Sequence, residues 1–201
     1  MRIRTLVTLF ALSCLLALST SACGYAYYAA RSQPQTASSA IEQAEQYKVY
    51  PISVEAVDYQ ALGYDSEQQW RQEVAFLEKS WGEVFPELLE EEELEKQVTM
   101  IGADTAVADG ITVRVAVERI QLNWNAFSNT PDQFWVQIVF TDAASGQTLY
   151  QGQVEVNNRS GNPYAQSYGM TMETRMYNAA RNIAWAVVKI MQNGRLEPPE
   201  Y

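Results

Sequence analysis

Carboxylates are the side chains with the widest chemical scope in this sequence, because imidazole is absent and thiols are few. Its 201 residues include 24 Asp and Glu, two cysteines and no histidine. Without imidazole, Ser-His nucleophile pairs, His-ligated zinc and imidazole general bases are excluded. No glycine signature for cradling phosphates occurs either. Glycosidase-type chemistry needs only two carboxylates flanking a cleft. Asp104 and Asp109, in GADTAVADG, are the most tempting pair, and oxygen ligands of this kind also suit calcium. The segment lacks the regular ligand spacing of a calcium loop and reads equally as an acidic turn before a strand. No catalytic residue, metal site or cofactor is assigned.

Aromatic side chains form the second constellation. Trp124, Phe127 and Trp135 bracket NAFSNTPDQ, while Tyr150, Tyr164 and Tyr168 lie near NNRSGNPYAQSYG. Amphipathic rings beside Asn and Ser suit a sugar or peptide site and are enriched at interface hot spots. Core packing explains most Trp and Tyr equally well. The candidate binding surface is therefore Trp124, Phe127, Trp135, Tyr164 and Tyr168. A third anomaly is the run Glu90 to Glu93 with Glu83, Glu87 and Glu95, read either as a dock for a basic partner or as a solvated helix end.

Cys23 is the one residue whose chemistry has a local context. Arg2 and Arg4 precede an apolar stretch from Leu6 to Leu18, followed by Ser19-Thr20-Ser21-Ala22. A cationic start, a short apolar region and small residues make a secretory signal. The apolar stretch is shorter than the about 20 residues a membrane span needs. Cys23-Gly24 then resembles the lipobox of bacterial lipoproteins, whose cysteine is acylated and becomes the first mature residue. Thr20 departs from that pattern, which usually has Leu there, and Cys14 lies too early in the apolar region to compete. An ordinary cleaved signal ending near Ala22 and a structural Cys23 are the competing readings. If Cys23 is lipidated, no thiol remains for nucleophilic or iron–sulfur chemistry or for an internal disulfide. The absence of Asp just after the cysteine, by resemblance to lipoprotein sorting, implies the outer membrane.

The chain divides into a signal over 1–22, a lipid-anchored flexible linker over 23–40, one globular domain over 41–195 and a tail over 196–201. Small and polar residues dominate 24–40 without an apolar period, and Tyr25, Tyr27 and Tyr28 suit the headgroup level or equally a disordered segment. Loss of residues 1–22 removes Arg2 and Arg4 and leaves 12 basic against 24 acidic side chains. That balance argues against nucleic acid, whose phosphates require clustered Lys and Arg, and against attraction to anionic headgroups.

The expected fold is α+β, a mostly antiparallel sheet with two long helices on one face. Val49 to Val57 alternates as a strand. Ser66 with Gln69 opens a helix through Trp70, Val74, Leu77, Trp81, Val84 and Leu88, which Gly82 and Pro86 should kink or end. A short helical piece over Glu87 to Glu95 and a strand over Val98 to Ile101 follow. Ile111, Val113, Val115 and Val117 share one phase, but Ile120, Leu122 and Trp124 take the other, which predicts a bulge near Glu118-Arg119. Phe134 to Phe140 and Thr148 to Val156 form a hairpin about Asp142 to Gly146. The last helix, Thr171 to Gln192, turns Met172, Met176, Ala179, Ile183, Val187 and Ile190 inward, with Arg175, Asn178, Arg181 and Lys189 largely outside that face.

This order, with the segment VQIVFTDAASGQTLYQGQVEV before a long terminal helix, resembles uncharacterised bacterial lipoprotein families. It is distantly similar to envelope-assembly lipoproteins such as activators of penicillin-binding proteins and the curli-secretion lipoprotein. The resemblance implies a periplasm-facing accessory protein with a membrane lipid, an envelope protein partner and no catalysis. A glycan-, peptidoglycan- or small-ligand-binding module is the second possibility.

Overall fold

Alternation along the strands builds a sheet with one covered face. A computed structural model describes residues 28–55, 57–123, 130–158 and 171–197. Seven strands are present among them: β1 (Tyr28–Ser32), β2 (Gln46–Val49), β3 (Ser53–Val54), β4 (Gln97–Met100), β5 (Ile111–Gln121), β6 (Gln133–Asp142) and β7 (Thr148–Asn157). Their order is β1-β7-β6-β5-β2-β4, with β3 also on β5. The long pairings are antiparallel, and β2 and β3 run parallel to β5, as β2 does to β4. Helices α1 (Ser39–Gln43), α2 (Glu67–Glu91) and α3 (Met172–Asn193) complete the α+β fold. On β6, Phe134, Val136, Ile138 and Phe140 are buried, whereas Trp135, Gln137, Val139 and Thr141 are partly exposed.

The phase change on β5 is a bulge. Val117 pairs with Val136, Arg119 with Trp135 and Ile120 with Phe134, so Glu118 is the extra residue. It returns Ile120 to the core after Val117. The hairpin also forms as the sequence predicts: the Asp142 carboxylate accepts from the Ser145 N–H at 2.7 Å and its hydroxyl at 2.9 Å.

Three expectations are corrected. The strand over Val49–Val57 is broken into β2 and β3, because Pro51 has no N–H to donate where the chain crosses from one pairing to the next. Tyr50 N–H still donates to Val113 O and Glu55 N–H to Val117 O, so the backbone keeps following β5. Helix α2 passes through Pro86 without ending, and no separate piece forms over 87–95. An interior proline costs about 3 kcal/mol. Val84, Phe85 and Leu88 flank it and are buried, together contributing about 5 kcal/mol or more. Burial wins.

The expected linker is the third element that differs. From Tyr28 onward the chain belongs to the fold: β1 pairs with β7, and Arg31 forms an ion pair with Glu155. Gln33 exchanges hydrogen bonds with both backbone groups of Leu196 at 2.8 and 2.9 Å. Leu196, placed by the sequence in a tail, is 1% exposed. Ser38 N–H donates to the carbonyl of Gly194, whose φ of 65° ends α3. A Cβ on Gly194 would lie 2.5 Å from Ser38 O, so only glycine fits this junction. Tyr28 is not free to sit among headgroups, being buried with its ring 4.8 Å from that of Trp185.

Lys96 joins the ends of two helices. Its ammonium donates to the carbonyls of Ile41, Glu42 and Met191 at 3.3, 2.7 and 2.8 Å. These lie at the C-terminal turns of α1 and α3, where carbonyls lack helical partners and a cation is favoured. Burial lowers the amine's pKa below its ordinary value, with Glu42 opposing that shift.

Candidate functional site

One end of the sheet gathers four chain segments. Gln121, Gln133 and Asn157 lie in one row of the ladder, so β5 ends, β6 begins and β7 ends at the same level. Asn123 and Thr130 bound residues 124–129, and Asn158 and Thr171 bound residues 159–170. Trp124, Phe127, Tyr164 and Tyr168 lie outside the described residues, as does Cys23. The roots of both loops are described, and they meet on Asp132.

Asp132 is fully buried, and both carboxylate oxygens are engaged. Oδ1 accepts from Arg175 Nη2 at 2.5 Å and from the Asn123 N–H at 2.9 Å. Oδ2 accepts from Arg175 Nε at 2.6 Å and Asn158 Nδ2 at 2.5 Å. In return, Asp132 N–H donates to Asn158 Oδ1 at 2.9 Å. Asn123 Nδ2 reaches Pro131 O at 3.1 Å. The cluster thereby joins the end of β5, the start of β6, the end of β7 and the first turn of α3. Thr171 prepares that turn by accepting from the Thr174 N–H at 3.3 Å. A carboxylate with four donors on it is an anchor and not a general base.

Arg175 and Asn178 are thus corrections to the expected helix face: both are 7% exposed. Arg175 is drawn inward because a buried carboxylate compensates its charge with a bidentate pair. Two further polar groups lie near. The Tyr64 phenol is pushed up to about 12 by burial and secondarily by the Glu73 charge. Burial also raises the Glu73 carboxyl, against the opposing pull of Arg175. Tyr64 Oη and Glu73 Oε2 are buried without a hydrogen-bond partner among the described residues.

Trp135 stands apart from this anchor. It lies on the face of β6 opposite Phe134, half-buried, with the Arg119 guanidinium 4.3 Å from its ring centre. Tyr150 is a core residue, edge-on to Phe140. Asp104 and Asp109 are exposed in the β4–β5 connection, and Asp109 lies near the Ile111 end of β5, away from the loop roots. Among the described residues no acidic group capable of holding a metal forms.

The open face also carries a cleft of about 340 Å³ lined by Tyr50, Pro51, Ser53, Arg114, Gln137 and Val139. Arg114 stacks there on Tyr50, 3.7 Å from the ring centre.

The acidic run is divided in its roles. Glu91 pairs with Arg181 at 2.5 Å, and Glu92 pairs with Lys189 at 2.5 Å while accepting from Trp185 Nε1 at 2.7 Å. Burial raises the Glu92 carboxyl. Hydrogen bonds from Lys189 and Trp185, with the Lys189 charge and Gln192, outweigh that and hold it below its ordinary value. These two glutamates join α2 to α3 and are not simply a solvated end, while Glu90, Glu93 and Glu95 are exposed.

No family model matches the chain, and neither does any curated protein. Solved structures are similar to it at low identity. The PelC dodecamer from Paraburkholderia phytofirmans is 10% identical over 76% of this chain and 96% of that one, with a TM-score of 0.34. A Xanthomonas campestris protein from a family of unknown function is 10% identical over 75% and 88%, with a TM-score of 0.38. A putative neuraminyllactose-binding hemagglutinin homologue from Helicobacter pylori is 11% identical over 78% and 88%, at 0.36. They assign no residue of this chain a role.

Proposed function

We propose that this chain is a periplasm-facing lipoprotein, held on the outer membrane by acyl chains on Cys23, that binds another envelope component without catalysis. The anchoring half rests on the sequence of residues 1–23. The binding half rests on one observation, the rooting of two sequence-distant loops on the Asp132–Arg175 pair. A buried ion pair is replaceable by apolar side chains at little or no cost in stability. What it contributes here is a fixed spacing between loop roots, the kind of support a preorganised binding surface requires. The loops carry Trp124, Phe127, Tyr164 and Tyr168, residue types that dominate interface energetics.

The composition of the same loops also supports a second reading, a glycan or small-ligand module, because Asn and Ser beside aromatics suit sugar hydroxyls. Affinity capture from envelope extracts through the lipidated protein separates the two. The first reading expects a protein partner that is retained by wild type and lost with a Trp124→Ala, Phe127→Ala variant. If no protein copurifies and peptidoglycan fragments shift the tryptophan fluorescence, the second reading replaces the first.

A further inference from the structure

We infer that the end of the sheet where β1 begins is held against the bilayer, so that the domain is oriented and not merely tethered. This rests on the proposed lipidation of Cys23. Were residues 24–40 free, the domain could stand off by about 55 Å. The chain is instead fixed from Tyr28: its backbone pairs with Val156, its side chain is 5% exposed, and its ring packs on Trp185. Only residues 24–27 separate that fixed point from Cys23. Fully extended, they span about 17 Å.

A short tether from a fixed point limits which surface can approach the membrane. Tyr28 lies beside the end of β7, and the hairpin at the other end of that strand is about 30 Å away. Two carboxylates beside the exit are paired, whereas Glu55 near the end of β5 and Glu173 in the first turn of α3 are exposed without an ion pair among the described residues. Glu155 pairs with Arg31, and the Glu92 that Trp185 contacts is paired with Lys189. The length of the tether, and not charge, therefore makes the lipid headgroup layer the occupant of this end. The loop roots at Asn123 and Asn158 share this end, so a partner of those loops is met at the membrane surface.

Without residues 1–22 the chain has no cysteine besides Cys23, so a single introduced thiol reports one position. Lipidated protein in phosphatidylcholine–phosphatidylglycerol vesicles, labelled with bimane at Gln121→Cys or Ala144→Cys, is titrated with a lipid bearing a nitroxide on its headgroup. Both parent residues are exposed. Quenching several-fold stronger at position 121 than at 144 is expected, and equal quenching or the reverse order overturns the orientation. A 24-residue Gly/Ser insertion after Tyr27, adding roughly 27 Å of mean reach, should abolish the contrast; if the contrast persists, the tether does not set the orientation and the inference fails. Intact mass of the same vesicle-bound protein separates the failures. A lipidated chain without contrast overturns only the orientation, whereas an unlipidated Cys23 overturns the anchoring on which it rests.

Discussion

Arg175, in the first turn of α3, places two guanidinium nitrogens on the two carboxylate oxygens of Asp132, a residue 43 positions earlier that no solvent reaches. Removing one partner leaves an uncompensated buried charge, which costs about 3–5 kcal/mol. Asp132→Ala should lower stability by that amount in urea unfolding. Asp132→Leu with Arg175→Met should cost far less than the sum of the single changes. Additive effects would show that the pair is not coupled.

Two glutamates should respond to substitution with opposite signs. Glu92 has a folded pKa below its unfolded one, so its contribution is full above the ordinary glutamate value of about 4.3 and is lost as pH falls through the depressed value. Glu92→Gln should cost about 1–2 kcal/mol at pH 7 and flatten the acid limb of the stability curve. The Glu73 pKa is raised by burial, so its charge opposes folding at neutral pH. Glu73→Gln should stabilise the protein at pH 7 and have little effect once the pH is below the ordinary glutamate value. Stability curves of both variants from pH 3 to 8 check the two signs.

Pro86 removes a donor from within the last two turns of α2 while remaining exposed itself. Pro86→Ala restores a bond to the Gly82 carbonyl and should raise stability by about 1–3 kcal/mol. A thermal midpoint that falls on this substitution would mean that the proline conformation is matched to the packing around it.

At Gly194, an added methyl group meets the Ser38 backbone at 2.5 Å in a left-handed conformation. Gly194→Ala should cost at least about 1 kcal/mol and loosen the junction of α1 with α3. Faster amide exchange at Ser38 and Ile41 in the variant is the expected signature, and unchanged exchange counts against it.

Elements whose signals are local were legible in the sequence. Ser66 with Gln69, the phase slip at Glu118-Arg119 and the Asp142 turn each act within a few residues. Strand β1 was hidden because Tyr28–Ser32 has neither alternation nor β-branched residues, and its partner β7 lies more than 100 residues away. The anchor was hidden for the same reason of distance, since Asp132, Asn158 and Arg175 are brought together only by the sheet and α3. A signal for it existed: Arg175 sits in the stripe of Met172, Met176 and Ala179 at helical spacing. A charge on an apolar face requires a buried partner.

The intact mass and N-terminal peptide of the mature protein recovered from membranes test the lipid anchor on Cys23 most directly. A chain lacking residues 1–22 whose first residue, Cys23, carries a diacylglyceryl-type increment is expected. A chain that retains residues 1–22, or one that begins at an unmodified cysteine, would contradict it.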